Sequence, residues 1–177
     1  GGSKFNVSEW RARGTSNEEL LAVLAGEAEF RLGRPPPLCH EPIGTGPYGN
    51  YPGVLSPGME RLVRAEFEWN EKVGMAELCP PGVSAVEFAQ VVSPWNSVWK
   101  PGKEGEAVRP VFDTSASGLN DCLLQWPFTL PQRADILRAM YPGCLLGLRD
   151  MKWGFYHCRV SVQHRRYLGF RHPYTGA

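Results

Sequence analysis

The chain has 177 residues, 42% hydrophobic and 21% charged, enough for one domain with its own core and ordinary for a soluble globular protein. No apolar run approaches the about 18 residues a membrane helix needs, and no basic segment leads into an apolar stretch at the N-terminus, so neither a span nor a secretory signal is read. The net charge of +1 hides an asymmetry, because residues 1–99 hold 8 Lys and Arg against 12 Asp and Glu while residues 100–177 hold 11 against 6. A basic half with interleaved aromatics suits a polyanionic partner, although a solvated surface has the same composition.

In chain order, Ser16-x-x-Glu19 reads as a capping box opening a helix over 17–31, with Leu20, Leu21 and Leu24 on its apolar side. Residues 32–58 carry Pro35-Pro36-Pro37, Gly44-x-Gly46-Pro47, Gly49, Pro52-Gly53 and Pro57-Gly58, and read as an irregular strap or linker. A second helix opens at Ser56-Pro57, takes Met59, Leu62, Val63 and Phe67 as its apolar face, and stops at Gly74. Val86 to Val92 and Val108 to Phe112 are β-prone runs, expected to form a hairpin with the turn at Lys100 to Gly105 as its charged tip. A third helix fits 131–140, before Pro142-Gly143. The apolar run Cys144 to Leu148, ending in Arg149-Asp150, reads as a buried strand, and a second hairpin is expected over 158–172.

The five cysteines, Cys39, Cys79, Cys122, Cys144 and Cys158, contain no C-x-x-C pair, which argues against a thiolate metal site and for reduced, mostly buried thiols in an intracellular, reducing compartment. His157, His164 and His172, spaced along the second hairpin, read as surface or nucleic-acid-facing groups rather than metal ligands. No P-loop, G-x-G-x-x-G or G-x-S-x-G pattern is present.

Asp150 closes an apolar strand, where a carboxylate is costly unless a cation or an arginine such as Arg149 or Arg138 meets it. It is followed by Phe155-Tyr156-His157, Arg159 and Arg165-Arg166-Tyr167-Leu168-Gly169-Phe170. Upstream stand Ser93-Pro94, Lys100-Pro-Gly-Lys103, Arg109-x-x-x-Asp113 and Leu119-Asn120. This order resembles the fingers motifs and first catalytic motif of reverse transcriptases. The detail is most similar to retrotransposons of the tyrosine-recombinase (DIRS-like) or LTR type. The resemblance covers residues 60–177, is strongest after 93, and says nothing of residues 1–55.

The resemblance implies an α+β fold of antiparallel hairpins packed with helices. Outside the resemblance, residues 1–55 read as an N-terminal helix and Pro/Gly-rich extension; within it, 56–128 are implied to be the fingers, 129–160 the first part of the palm, and 161–177 a return to the fingers hairpin. It implies that Asp150 is the first metal-binding aspartate, holding Mg2+ together with further carboxylates. Arg109 and a lysine of the tip, Lys103 or Lys100, match residues that close on the triphosphate. Phe155, with Tyr156 beside it, matches the aromatic under the sugar, and Asp113 is either a brace of the fingers or an ion-pair partner of Arg109. Arg159, Arg165, Arg166 and Arg171 are implied nucleic-acid contacts. The partners implied are an RNA template and DNA primer, a deoxynucleoside triphosphate, and a protein or further palm segment over the exposed apolar surface, with no membrane. The Tyr-x-Asp-Asp motif lies beyond Ala177 in the family, so the expectation is a polymerase piece incomplete for catalysis alone. The other reading is a domesticated RNA-binding or structural subunit without enzymatic activity.

Overall fold

The computed structural model describes residues 7–52, 56–125, 129–130, 132–145, 147 and 158–176. Helix α1 (Val7–Ala12) packs against α2 (Glu18–Ala25). Asn17, rather than Ser16, caps α2, its side-chain oxygen accepting from the Leu20 N–H at 3.0 Å. The helix ends at Ala25 instead of continuing to residue 31. Gly26 takes a left-handed conformation (φ 85°) and returns its N–H to the carbonyls of Ala22 and Val23. Beyond it the chain runs extended, and Ala28 pairs with Val160 while Leu32 pairs with Leu123.

Helix α3 (Pro57–Lys72) forms where the Ser56-Pro57 signal places it, Ser56 Oγ accepting from the Met59 N–H. Met59, Val63 and Phe67 recur at helical spacing and are buried. They meet Trp95 and Val108 in the main apolar cluster, with Leu62, Trp99, Phe170 and Tyr174 around its rim.

The hairpin is antiparallel, but its first strand is displaced from the expected run. Ser84 and Glu87 close a capping box that winds Ala85–Phe88 into a one-turn helix, α4. The strand is β1 (Trp95–Trp99), paired with β2 (Val108–Phe112) in the register Trp95↔Phe112 to Trp99↔Val108. The Lys100 N–H donates to the Ala107 carbonyl and the Asp113 N–H to that of Pro94, each at 2.9 Å. By antiparallel alternation, Trp95, Ser97 and Trp99 therefore turn their backbone polar groups to the outer edge of β1, and Val108, Pro110 and Phe112 theirs to the outer edge of β2. Proline at the middle of that edge removes the N–H another strand would need.

The hairpin expected over 158–172 does not form. Val160 instead joins Ala28, Val162–Arg165 makes a single helical turn, α6, and Gly169 bridges to Val92. A Cβ at Gly169 would stand 2.6 Å from Ala89 Cβ and 2.7 Å from the Val91 carbonyl oxygen, so only glycine fits this crossing. Helix α5 (Arg133–Ala139) forms within the expected 131–140 span and buries none of its residues. Cys144, Leu145 and Gly147 show no strand and Leu145 is 99% exposed, against the expected buried strand, whose remaining residues lie outside those described. All five thiols are unpaired, but only Cys122 is buried; Cys158 is exposed and the others half-buried.

A candidate nucleotide and nucleic-acid surface

Side-chain alternation divides the hairpin into two faces. Trp95 and Val108 turn onto α3, so Asn96, Val98, Arg109 and Val111 share the opposite face, where Val98, Arg109 and Val111 are exposed. The tip is a compact turn, since the Lys103 carbonyl accepts from the N–H groups of Glu106 and Ala107, and Gly102 and Gly105 supply positive φ. Lys103 is exposed and Lys100 half-buried. Among the described residues no ion pair engages Lys100, Lys103 or Arg109, which leaves three cations along one projecting hairpin.

Asp113 follows β2 and turns its carboxylate inward. Oδ1 accepts from the N–H groups of Ala116 (2.9 Å) and Ser115 (3.1 Å), and Oδ2 accepts from the Tyr51 hydroxyl at 2.9 Å. The Ala116 amide and then the Tyr51 hydroxyl hold the Asp113 carboxyl below its ordinary range, burial opposes them, and the Ser115 amide adds a lesser lowering. The same hydrogen bond raises the Tyr51 hydroxyl, with burial and the carboxylate charge adding. No ion pair joins Asp113 to Arg109 among the described residues; its geometry is that of a brace for the turn that follows. That turn is knit by Thr114 to Asn120 (2.9 Å), Asn120 to Ser115 (2.7 Å) and the buried Ser93–Ser117 hydroxyl pair (2.8 Å).

The four arginines expected to contact nucleic acid stand elsewhere. Arg159, Arg165, Arg166 and Arg171 line a cleft of about 1260 Å3 between the C-terminal half of α3, residues 74–89 and residues 158–172. None of Lys100, Lys103, Arg109 or Asp113 borders it. Several of these arginines already serve the fold. Arg165 Nε donates to the Val160 carbonyl at 3.0 Å, Arg171 Nη2 to that of His40 at 3.4 Å, and the stem of Arg159 lies over Gly26. Phe88, Leu78, Val83 and Val162 give the cleft an apolar component.

His164 and His172, expected as surface or nucleic-acid-facing groups, are half-buried and border the same cleft as these arginines. His164 is half-buried, stacks on Phe30 with centroids 5.7 Å apart, and accepts the Phe30 N–H on Nδ1 at 2.7 Å. His172 is half-buried beside Phe67. His157, Asp150, Phe155 and Tyr156 lie outside the described residues. Among the described residues no three His, Cys, Asp or Glu side chains gather as metal ligands, and Asp113 already receives three donors, so these residues offer no Mg2+ site of their own.

Two residues absent from the sequence-derived site sit at the base of the hairpin. Buried Asn50 accepts the Trp95 N–H on Oδ1 (3.3 Å) and donates through Nδ2 to the Arg171 carbonyl (3.2 Å). Tyr51 donates its N–H to the Trp95 carbonyl at 3.1 Å and its hydroxyl to Asp113. Both belong to the Pro/Gly-rich segment, where no periodicity marks a residue as functional. The only signal was a polar and an aromatic residue amid turn formers. No family model matches this chain, and no curated protein or solved structure matches it with significance.

Proposed function

We propose that the chain is the nucleotide-gripping fingers, with the first palm motif, of a retrotransposon-type RNA-directed DNA polymerase. The observation that carries this reading is the α3-backed hairpin presenting Lys100, Lys103 and Arg109, none of them engaged in an ion pair among the described residues. Phosphoryl transfer asks little covalent chemistry of a protein and much positioning and charge neutralisation. An arginine fork holds phosphate oxygens bidentately, while a lysine on a turn supplies a point charge that follows them. In this reading Asp150 is a ligand for Mg2+ only together with further carboxylates, and Phe155, with Tyr156 beside it, takes the role of the aromatic under the sugar. The cleft arginines Arg159, Arg165, Arg166 and Arg171 serve the template–primer backbone.

A second reading, an RNA-binding or scaffolding subunit of a larger complex, is favoured by α5 and its flanks. Ile136, Leu137, Tyr141 and Leu145 are all more than half exposed there, a surface suited to a partner. One experiment addresses both: binding of labelled single-stranded RNA and an RNA–DNA duplex over a salt series, with wild type beside the double variant Arg109→Ala/Lys103→Ala. The polymerase reading expects tight low-salt binding that weakens in the variant, with the salt slope on single strands falling by ~0.7 for each phosphate that is no longer neutralised. Absence of binding by wild type at low salt would sink it and leave the scaffold.

A further inference from the structure

We propose that Tyr51, with Asn50 behind it, is a positioning residue that sets the orientation of the triphosphate-gripping hairpin; the inference rests on the fingers reading above. The hairpin meets the rest of the molecule in two ways. Its inner face packs through Trp95 and Val108 on α3 and through Phe112 on Phe170, apolar contacts that are non-directional. Its base is held by directional bonds. The outward backbone groups of Trp95 are both taken by the strap, the N–H by Asn50 Oδ1 at 3.3 Å and the carbonyl by the Tyr51 N–H at 3.1 Å. The Tyr51 hydroxyl reaches past the end of β2 to Asp113 at 2.9 Å. One residue thereby joins the first residue of β1 to the residue after β2.

The geometry makes the base a lever. A five-residue strand spans about 17 Å at ~3.3 Å per residue, so a 10° rotation at the base moves the tip by about 3 Å. Hydrogen bonds to phosphate do not survive a displacement of that size. Removal of the clamp therefore acts on Lys103 and Arg109 without deleting either. Asp113 keeps its bonds from Ser115 and Ala116 when the tyrosine hydroxyl is absent, so the turn after β2 survives.

The test is Tyr51→Phe, which deletes one oxygen. A fluorescent deoxynucleoside triphosphate is titrated into wild type, Tyr51→Phe, Arg109→Ala and the double variant, with a thermal melt of each. The expected result is triphosphate affinity about tenfold weaker in Tyr51→Phe, at a nearly unchanged melting temperature, with less than additive further weakening when Tyr51→Phe joins Arg109→Ala. Asp113→Asn, which weakens the same bond from the other side, should reproduce the effect. Wild-type affinity in Tyr51→Phe overturns the positioning role while leaving the fingers reading intact. A full, additive weakening beside Arg109→Ala also overturns it, because Tyr51 would then act elsewhere. Failure of wild type itself to bind the triphosphate removes the fingers reading and this inference with it.

Discussion

His172 offers its Nδ1 lone pair to the N–H groups of Tyr174 and Thr175, each at 3.3 Å, while its ring lies 5.5 Å from Phe67. Burial lowers its pKa, the Glu71 carboxylate opposes that shift, and the Arg64 guanidinium reinforces it. A protonated ring gives up the lone pair and places a charge beside Phe67. Because the folded pKa lies below the unfolded value of about 6.5, the stabilisation is full above that pH and is lost as pH falls through the folded value. We expect the melting temperature to decline from pH 7 toward pH 5, and an NMR titration to place the His172 midpoint below 6.5; a midpoint above 6.5 refutes this. At this scale the sequence was legible only in part. A histidine's role depends on which amides the fold brings to it, and that of His164 comes from Phe30, 134 positions away. Ser16 and Asn17 are both good cap residues by type, so the sequence does not say which of the two takes the extended cap position that Asn17 occupies.

Among the elements, α3 and the β1–β2 hairpin carry the core, and Phe67 is one of the residues that join them to the C-terminal segment. Its ring meets Trp95 edge-on at 5.4 Å, Phe170 at 5.6 Å and His172 at 5.5 Å. Phe67→Ala is expected to cost about 3–5 kcal/mol, read as a lower denaturant midpoint at unchanged slope; a cost below about 1 kcal/mol would mean the cluster repacks. Helix α3 was legible because cap, proline and apolar spacing agree over sixteen residues. The run Val86 to Val92 was misread because β-propensity is weaker than a closed capping box, and Ser84 with Glu87 winds its first residues into α4. Its last two, Val91 and Val92, do run extended, pairing with Cys39 and Gly169 rather than within the hairpin. The true first strand, Trp95-Asn-Ser-Val-Trp99, has its two tryptophans on the inner face and alternates as a half-buried strand should, but the more β-branched run upstream outweighed it.

For the molecule as a whole, what the sequence withheld is the path of residues 28–52. Pro and Gly announced an irregular strap, yet no local pattern tells which edges such a segment will fasten. The structure ties it to the hairpin through Trp95 and Asp113, to Gln90 through the Pro36 carbonyl, and to the C-terminal segment through Arg171 and Tyr174. These ties have a temporal consequence. Helix α3 and the hairpin are neighbours in sequence, whereas the bonds Phe30–His164, Asn50–Arg171 and Tyr48–Tyr174 join residues 134, 121 and 126 positions apart. Loop closure is expensive until such contacts reward it, so the helix-backed hairpin should fold first and the strap and C-terminal segment should arrive together as the final step. In reverse they form the first unit to open. In native-state hydrogen exchange, the amides of Phe30, Ala28 and Gly169 should exchange as one low-energy group ahead of Val98, Arg109 and the centre of α3, since Val98 and Arg109 face each other as an inward-bonded pair of the hairpin; exchange of both sets at a single free energy would show one cooperative unit instead.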